Sequence, residues 1–522
     1  MTADEPVFLA IDAGTGSVRA IAFDVDGRVV ARAAREWTHR PTPGHLGGAD
    51  FDTPGGWRLT ADAVRQVVGH LGGHPIAAVG VSSMREGFVL YDEHGREVFA
   101  CPNTDGRARR QAQQLADSGL AERIYELAGD WVSITAPARL LWLQQEQPEV
   151  FAATRHFGML SDWVVHRLTG EFTTDPTCGS SSALFDLAAR DWSGELAAAV
   201  DLPRGILPQV LECGTVVAGV TAEASVATGL PIGTPVLVGG ADTQLALHGI
   251  GAEGGTPTVV AGTFWQTAFI SDEPLIDPQR RLRTLCAVAP DSWMTEGINF
   301  LSGLSMRWFR DAFCPDATAE GGSAYDAMER WASAAPRGSN GLVAVLSNIM
   351  QTDAWHHAAP AFVGFDINSP AAFDRGTFIR AIEEAAAYVV RGHLAILSEV
   401  TGGRATAAGS LVLTGGSSAG ALWPQIIAEV TGLTVQPSTA PEATAYGAAR
   451  LAAAAVGAEL PPLGAPGRAI IPSAGAVAEY DAAFEHWGRV YRAQLAATRA
   501  SDLAPLFTPP GGLPYRAEAA VR

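Results

Sequence analysis

The sequence predicts an α/β protein of two lobes with a cleft between them. Three observations predict it. A strand, glycine turn and strand open the chain in "FLAIDAGTGSVRAIAFDVDGRVVA", residues 8 to 31. The same design returns at residues 256 to 272, "TPTVVAGTFWQTAFISD", just after the glycine-rich "GIGAEGGTP". Strand-like runs then alternate with helical patterns, as mixed sheets covered by helices require. Two similar units, one opening each half, indicate internal duplication, with lobes expected at 1–247 and 248–522. The tail from about residue 501, "FTPPGGLPYRAEAAVR" within it, is expected to be loosely held.

Each element has its own signal. "VFLAID" is rich in strand formers, and "VRAIAFD" sets Val18, Ala20 and Ala22 against Arg19, Ile21 and Phe23. Asp26-Gly27 then reads as a hairpin turn into "RVVARA". The first glycine turn therefore joins two strands. A dinucleotide fingerprint would open a helix there and would want a glycine where Arg19 stands. "TPGGWRLTADAVRQVVGHLGG" spaces Trp57, Val64, Val67, Val68 and Leu71 on one helical face behind Thr53-Pro54. A second helix is expected over 378 to 400, ending at Gly402. "IAAVGVSS", "TPVLVGG" and "SLVLTGG" are the remaining strand signals.

Composition removes whole classes. The 522 residues are 47% hydrophobic and 17% charged, which suits a globular chain with a large core. A net charge of −19 opposes broad nucleic-acid or anionic-membrane binding, since both need a cationic face. The five scattered cysteines form no CxxC pair, and the N-terminus lacks a basic leader, so a reduced, cytoplasmic protein is expected. No run approaches the ~18 apolar residues of a membrane span. All 36 cationic side chains are arginine. Without lysine there is no Walker A loop, no protein-kinase strand lysine and no pyridoxal Schiff base.

Four constellations carry chemistry. The turn holding Asp12, Thr15, Gly16 and Ser17 can point amides and hydroxyls at phosphate, with Asp12 placed to hold hydrated Mg²⁺; an ordinary hairpin turn has the same residues. In "VLVGGADTQLALHG", Asp242 can take a proton from an attacking hydroxyl, and it also suits the cap of a helix starting near Thr243. In "SLVLTGGSSAGALWPQ", Gly415, Gly416 and Ser417 can flank a flat nucleoside over bare backbone. The same stretch fits G-x-S-x-G, a serine hydrolase reading through Ser418, with His486 as the only downstream histidine. In "VSSMREGFVLYDEHG", Arg85 and Glu86 can grip a polyol, or form a solvated loop pair. The histidine pairs "HLGGH" and "WHH" lack metal-ligand spacing. "SMRWFRD", with Arg307, Trp308 and Arg310, reads either as a cleft wall or as a helix of the second lobe, the helix being favoured slightly.

These elements, in this order, resemble the FGGY family of carbohydrate kinases over almost the whole chain. "DAGTGSVRA" is similar to the family's first phosphate loop, "GGAD" to its catalytic-base segment, "AGTF" to its second phosphate loop and "TGGSS" to its adenosine loop, with "PEATAYGAAR" following. The resemblance implies the actin/hexokinase-like ATPase fold, with duplicated ribonuclease-H-like lobes. It implies ATP and Mg²⁺ as cofactors. Phosphate would lie against Asp12, Thr15, Gly16, Ser17, Arg19, Gly262, Thr263 and Gly303, and the nucleoside against Gly415, Gly416 and Ser417. Substrate would lie against Arg85, Glu86, Asp242 and Thr243, with Asp242 as base. The segments "SMREGFVLYDEHG", "DGRARR", "APARLLWL", "SDWVVHRLTGE", "GTFWQ", "GLSMRWFRDAFC" and "WHHAAPAF" imply as acceptor the quorum-sensing signal autoinducer-2, the linear dione 4,5-dihydroxypentane-2,3-dione. A pentulose, glycerol or gluconate is the alternative. Where glycerol kinases place a tyrosine, alignment back from Trp142 gives Ile134 or Thr135, which weighs against glycerol. A small-molecule substrate is the expected partner, with neither nucleic acid nor membrane, and a homodimer is left open.

Overall fold

The computed structural model describes residues 5–45, 47–252, 254–318, 323–349, 357–438, 440–464, 467–500 and 503. Its frame is two six-stranded sheets. The first contains β1 (Val7–Ala13), β2 (Ser17–Phe23), β3 (Val29–Glu36), β4 (Ile76–Ser83), β5 (Val216–Gly219) and β6 (Pro235–Leu237), in the order β5-β6-β4-β1-β2-β3. The second contains β7 (Thr258–Ala261), β8 (Trp265–Ser271), β9 (Arg283–Cys286), β10 (Trp293–Asn299), β11 (Ser410–Thr414) and β12 (Thr434–Ser438), in the order β9-β10-β8-β7-β11-β12. In both, the hairpin opens an antiparallel run, β1-β2-β3 in the first sheet and β7-β8-β10-β9 in the second, and its first strand pairs in parallel with a later strand: β1 with β4, and β7 with β11. This shared topology is what the recurrent hairpin predicts, and it is an α/β fold of duplicated lobes.

Alternation sorts the side chains of β1. Val7, Leu9, Ile11 and Ala13 join one core with Val64 and Val67 of α1 (Thr53–His70). Phe8 and Ala10 join another with Ile21, Phe23 and Ala78. The second face is covered by α6 (Ala443–Ala455), reached only after four other helices of this account: α2 (Asp242–Gly249), α3 (Ser302–Phe313), α4 (Arg375–Val400) and α5 (Leu422–Thr431). This is why the two-sided pattern expected for β2 fails. Ile21 and Phe23 are as buried as Val18 and Ala20, because a helix from beyond the expected boundary at 247 packs against them.

α1 starts as expected, with Asp52 accepting the Gly55 amide at 3.0 Å. α4 begins three residues earlier than the apolar pattern suggests, because Asp374 caps it by accepting the Thr377 amide at 3.0 Å. All five cysteines are unpaired thiols. No described helix is long and apolar enough to cross a membrane. The expected loose tail lies outside the described residues except for Leu503, and so does His356 of "WHH".

α2 and α6 cross with backbones nearly touching. A β-carbon on Gly447 would stand 1.9 Å from the Leu245 carbonyl oxygen, and one on Gly249 would stand 2.3 Å from that of Ala443. Gly80 of β4 has the same limit against Ala448, at 2.3 Å. The alanine-rich sequence of α6 is thus a docking surface, since small side chains let backbone meet backbone. Gly447→Ala should lower stability by ~1–3 kcal/mol through overpacking. Gly69→Ala in α1, where no atom lies within 4 Å, should be neutral or stabilising. Urea unfolding of the two variants checks the contrast, and equal midpoints would refute the crossing as a constraint.

Candidate active site

The first hairpin turn presents free amides because its carbonyls are already occupied. Trp37 donates its indole N–H to the carbonyls of Gly14 (3.1 Å) and Thr15 (3.2 Å), and its backbone N–H to Gly16. The ring nitrogen Nε2 of His39 lies 2.7 Å from the Thr15 carbonyl oxygen. Thr15 and Gly16 are exposed, and their amides bond to nothing among the described residues. The Thr15 hydroxyl accepts from Asn103 at 3.0 Å.

Asp12 closes β1, buried opposite Arg19 in the hairpin register. Arg19 donates to Asp12 Oδ2 and, at 2.7 Å, to Glu442 beside α6. Asp12 Oδ1 is buried without a hydrogen-bond partner. Burial raises the Asp12 carboxyl above the usual carboxylate range despite Arg19.

Asp242 is the first residue of α2, with Ala241 rather than Asp242 as the cap. Its Oδ1 accepts the Thr243 amide at 2.7 Å and the Thr243 hydroxyl at 3.3 Å. The side chain is half-buried, 37% exposed. Burial pushes its carboxyl up to about 6; Asp12 and Glu86 add to the rise, and Arg85 opposes it. Arg85 Nε stands 3.9 Å from Asp242 and 3.8 Å from Glu86. The solvated-loop reading of Arg85 and Glu86 therefore fails, since both side chains are buried.

Their partners come from the other sheet. Arg85 donates to Glu296 at 2.7 Å, and Arg283 donates to Glu86 at 2.8 Å and to Asp130. Burial works against the charge of Arg85, but Glu296, Glu86 and Asp242 more than offset it and raise its pKa. Burial likewise lifts Asp130 to about 6. Glu86 itself has φ 61, a left-handed backbone that a side chain rarely adopts. Arg139 donates to its carbonyl at 2.8 Å, and its amide donates to Ser181 Oγ at 3.2 Å, so the surroundings hold the strain.

The second turn is built by packing. Gly262 and Thr263 are exposed, with amides that bond to nothing described. Gly303, in the first turn of α3, presses on them: a β-carbon there would stand 2.1 Å from the Gly262 carbonyl oxygen. Gly262, Thr263, Gly303, Gly416 and Ser417 line one pocket of about 480 Å³, together with Trp423 and Glu383. Gly415 has φ 98 and lies 2.6 Å, by its hypothetical β-carbon, from the Ala261 carbonyl oxygen, so it shapes the loop from behind.

Two expectations need correcting. Arg307 lines this pocket, so "SMRWFRD" is partly a cleft wall; Trp308 and Arg310 do build the helix surface, on Phe313 and Tyr325. Ser418 is no nucleophile. Its hydroxyl donates to the carbonyls of Gly415 (2.7 Å) and Ser438 (3.1 Å), it is buried, and His486 is exposed on a distant stretch of chain. Sequence reasoning missed Glu442, Arg139, Asp130, Arg283 and Glu296. The available signal was a lone charge inside an apolar strand, as in "WMTEGINF".

Residues 7–249 match the N-terminal domain of the FGGY family of carbohydrate kinases, and residues 258–456 match its C-terminal domain. The chain belongs to this family: it is an ATP-dependent phosphotransferase acting on an alcohol group of a small sugar or polyol. It is 38% identical over 521 residues to an autoinducer-2 kinase of Yersinia pestis, covering 96% of this chain and 97% of that protein. The fold matches that of xylulose kinase from Rhodospirillum rubrum, with a TM-score of 0.83 and 25% identity over 93% of this chain and 98% of the other. Gluconate kinase from Lactobacillus acidophilus shares the fold with a TM-score of 0.84 and 19% identity over 95% of this chain and all of the other.

Arg283→Met should destabilise the protein by ~3–5 kcal/mol, because it strands Asp130 and Glu86 as buried carboxylates without their cation. Chemical unfolding at pH 8 checks this, and a loss below ~1 kcal/mol would contradict the network's role.

Proposed function

We propose that the protein transfers the γ-phosphoryl group of ATP to the terminal hydroxyl of autoinducer-2, 4,5-dihydroxypentane-2,3-dione, in the cytoplasm. The observation that carries this reading is the near full-length 38% identity to an autoinducer-2 kinase. The geometry supports it with a half-buried carboxylate of raised pKa beside an arginine and a second carboxylate.

In this reading Asp242 takes the proton of the attacking hydroxyl, and its elevated basicity suits it to that work. Arg85 and Glu86 hold the acceptor's oxygens. Thr243 orients Asp242 rather than touching substrate, since its hydroxyl is already given to that carboxylate. The amides at Thr15, Gly16 and Ser17, and at Gly262 and Thr263, donate to the phosphates from the two lobes. Gly303 lets the second turn sit where it does, and Gly415, Gly416 and Ser417 flank the nucleoside.

Asp12 fits Mg²⁺ bound largely through water, because a single carboxylate with one unpartnered oxygen suits an ion that keeps its own waters and phosphate ligands. No group of three metal-binding side chains stands among the described residues, so the remaining ligands would come from nucleotide and water. The ion, when bound, supplies charge neutralisation for the phosphates. Arg19 supports this by holding the other oxygen of Asp12 in place.

ADP release measured with the dione, xylulose, glycerol and gluconate separates the acceptors. The dione should give the highest kcat/KM, and a higher value for any other acceptor replaces the substrate assignment. Asp242→Asn should lose ~10² or more in kcat while ATP still binds. Its kcat/KM in the parent protein should fall tenfold per pH unit below about 6, where Asp242 becomes protonated.

The linked stability effect has a definite sign. A carboxyl raised from 3.8 to about 6 by folding binds more protons folded than unfolded in that window, so its ionisation weakens the fold above it. Asp242→Asn should therefore melt higher than the parent at pH 8 while being inactive. A lower melting point would show that Asp242 is a stabilising anion instead.

A further inference from the structure

Among the groups not used so far, Glu383 stands apart. It lies in the long helix α4, 5% exposed, on the wall of the pocket that also holds Gly416 and Ser417. Its Oε2 is fully buried and has no hydrogen-bond partner among the described residues. A buried, unpartnered carboxyl is costly, and such groups are normally satisfied by protein, water or ligand. Its position is fixed from behind: Trp423 donates its indole N–H to the Glu383 carbonyl at 3.2 Å.

Two neighbouring charged side chains are already engaged. Arg380, one turn back on α4, is committed to Glu384 at 3.0 Å and to Tyr480 at 2.9 Å. Glu329 on the same pocket wall accepts the amides of Ala421 at 2.5 Å and Leu422 at 2.6 Å. The rest of the wall includes Met306, Met328 and Trp423, apolar surfaces suited to the faces of a flat ring.

We propose that Glu383 reads the base of the nucleotide: its carboxyl accepts a hydrogen bond from the 6-amino group of adenine and donates one to the ring nitrogen beside it. The proposal rests on the nucleoside pocket assigned above and names the group that gives that pocket its choice of base. Adenine presents an amino donor next to a ring acceptor, and a neutral carboxyl offers the complementary acceptor and O–H donor. Burial, reinforced by Glu329 and Glu384 against Arg380, holds Glu383 well above the usual carboxylate range, which keeps that O–H in place.

The test compares ATP with purine riboside triphosphate, which lacks the 6-amino group, in equilibrium binding to the full-length protein. The parent should prefer ATP about tenfold, the worth of one good hydrogen bond to a buried group. Glu383→Gln, whose amide keeps one acceptor and one donor, should retain the preference. Glu383→Ala should bind the two nucleotides equally, with ATP weakened to the level of its analogue. An ATP preference that survives Glu383→Ala overturns the inference. Ser417→Trp fills the pocket without touching Glu383 chemistry, and it should abolish binding of both nucleotides. ATP binding that survives Ser417→Trp overturns the pocket assignment and the inference with it, whereas loss there with an intact preference in Glu383→Ala overturns the inference alone.

Discussion

Two helices crossing with their backbones in contact set the position of everything chemical in this molecule. α2 carries Asp242 at its first residue, and α6 follows Glu442, the partner of Arg19. Their crossing is possible only because Gly249 and Gly447 have no side chains to hold the backbones apart. Thr444 then donates to the Asp242 carbonyl at 3.2 Å, which ties the start of α6 to the start of α2. The helices also belong to both halves of the chain, since α6 follows the second sheet and packs on the first. A crossing of this kind is both the join between the lobes and the mount for the cleft.

Five charged side chains are buried together between the two sheets, which has two consequences. Glu86, Asp130 and Glu296 share Arg85 and Arg283, with each lobe supplying members of both signs. Removing any one leaves a buried charge behind, so the network locks the register of one sheet against the other rather than adding much net stability. The same low-dielectric surroundings raise the Asp242 carboxyl to about 6, which makes it a better proton acceptor than a surface aspartate. Ionisation of that carboxyl costs stability, and the strained Glu86 backbone lies close by.

In the proposed reading, a chain without lysine meets phosphate charge with backbone amides and arginine. Two turns offer backbone amides whose own carbonyls or neighbours are held by Trp37, His39 and Gly303. Fixed dipoles of this sort need no reorganisation when charge shifts during transfer. Arg19, next to the first turn, is held between Asp12 and Glu442 and so is already oriented.

What the sequence determined is local. The hairpin turns, the caps and the strand patterns follow from φ preferences, side-chain period and hydrogen bonds within a few residues, so both glycine hairpin turns, the helix start at Asp242 and the glycine-rich turn after β11 were legible, as was the α/β class. Even there, the alternation of β2 misled, because its second face is buried by a helix more than 400 residues away. What only the tertiary structure decided is every contact whose partners are far apart in the chain. Arg85 meets Glu296, Arg283 meets Glu86, and Ser418 is turned from candidate nucleophile to a donor bound to two carbonyls. Burial and pairing are properties of the packed chain, and a lone Glu in an apolar strand carries no mark of which arginine will neutralise it.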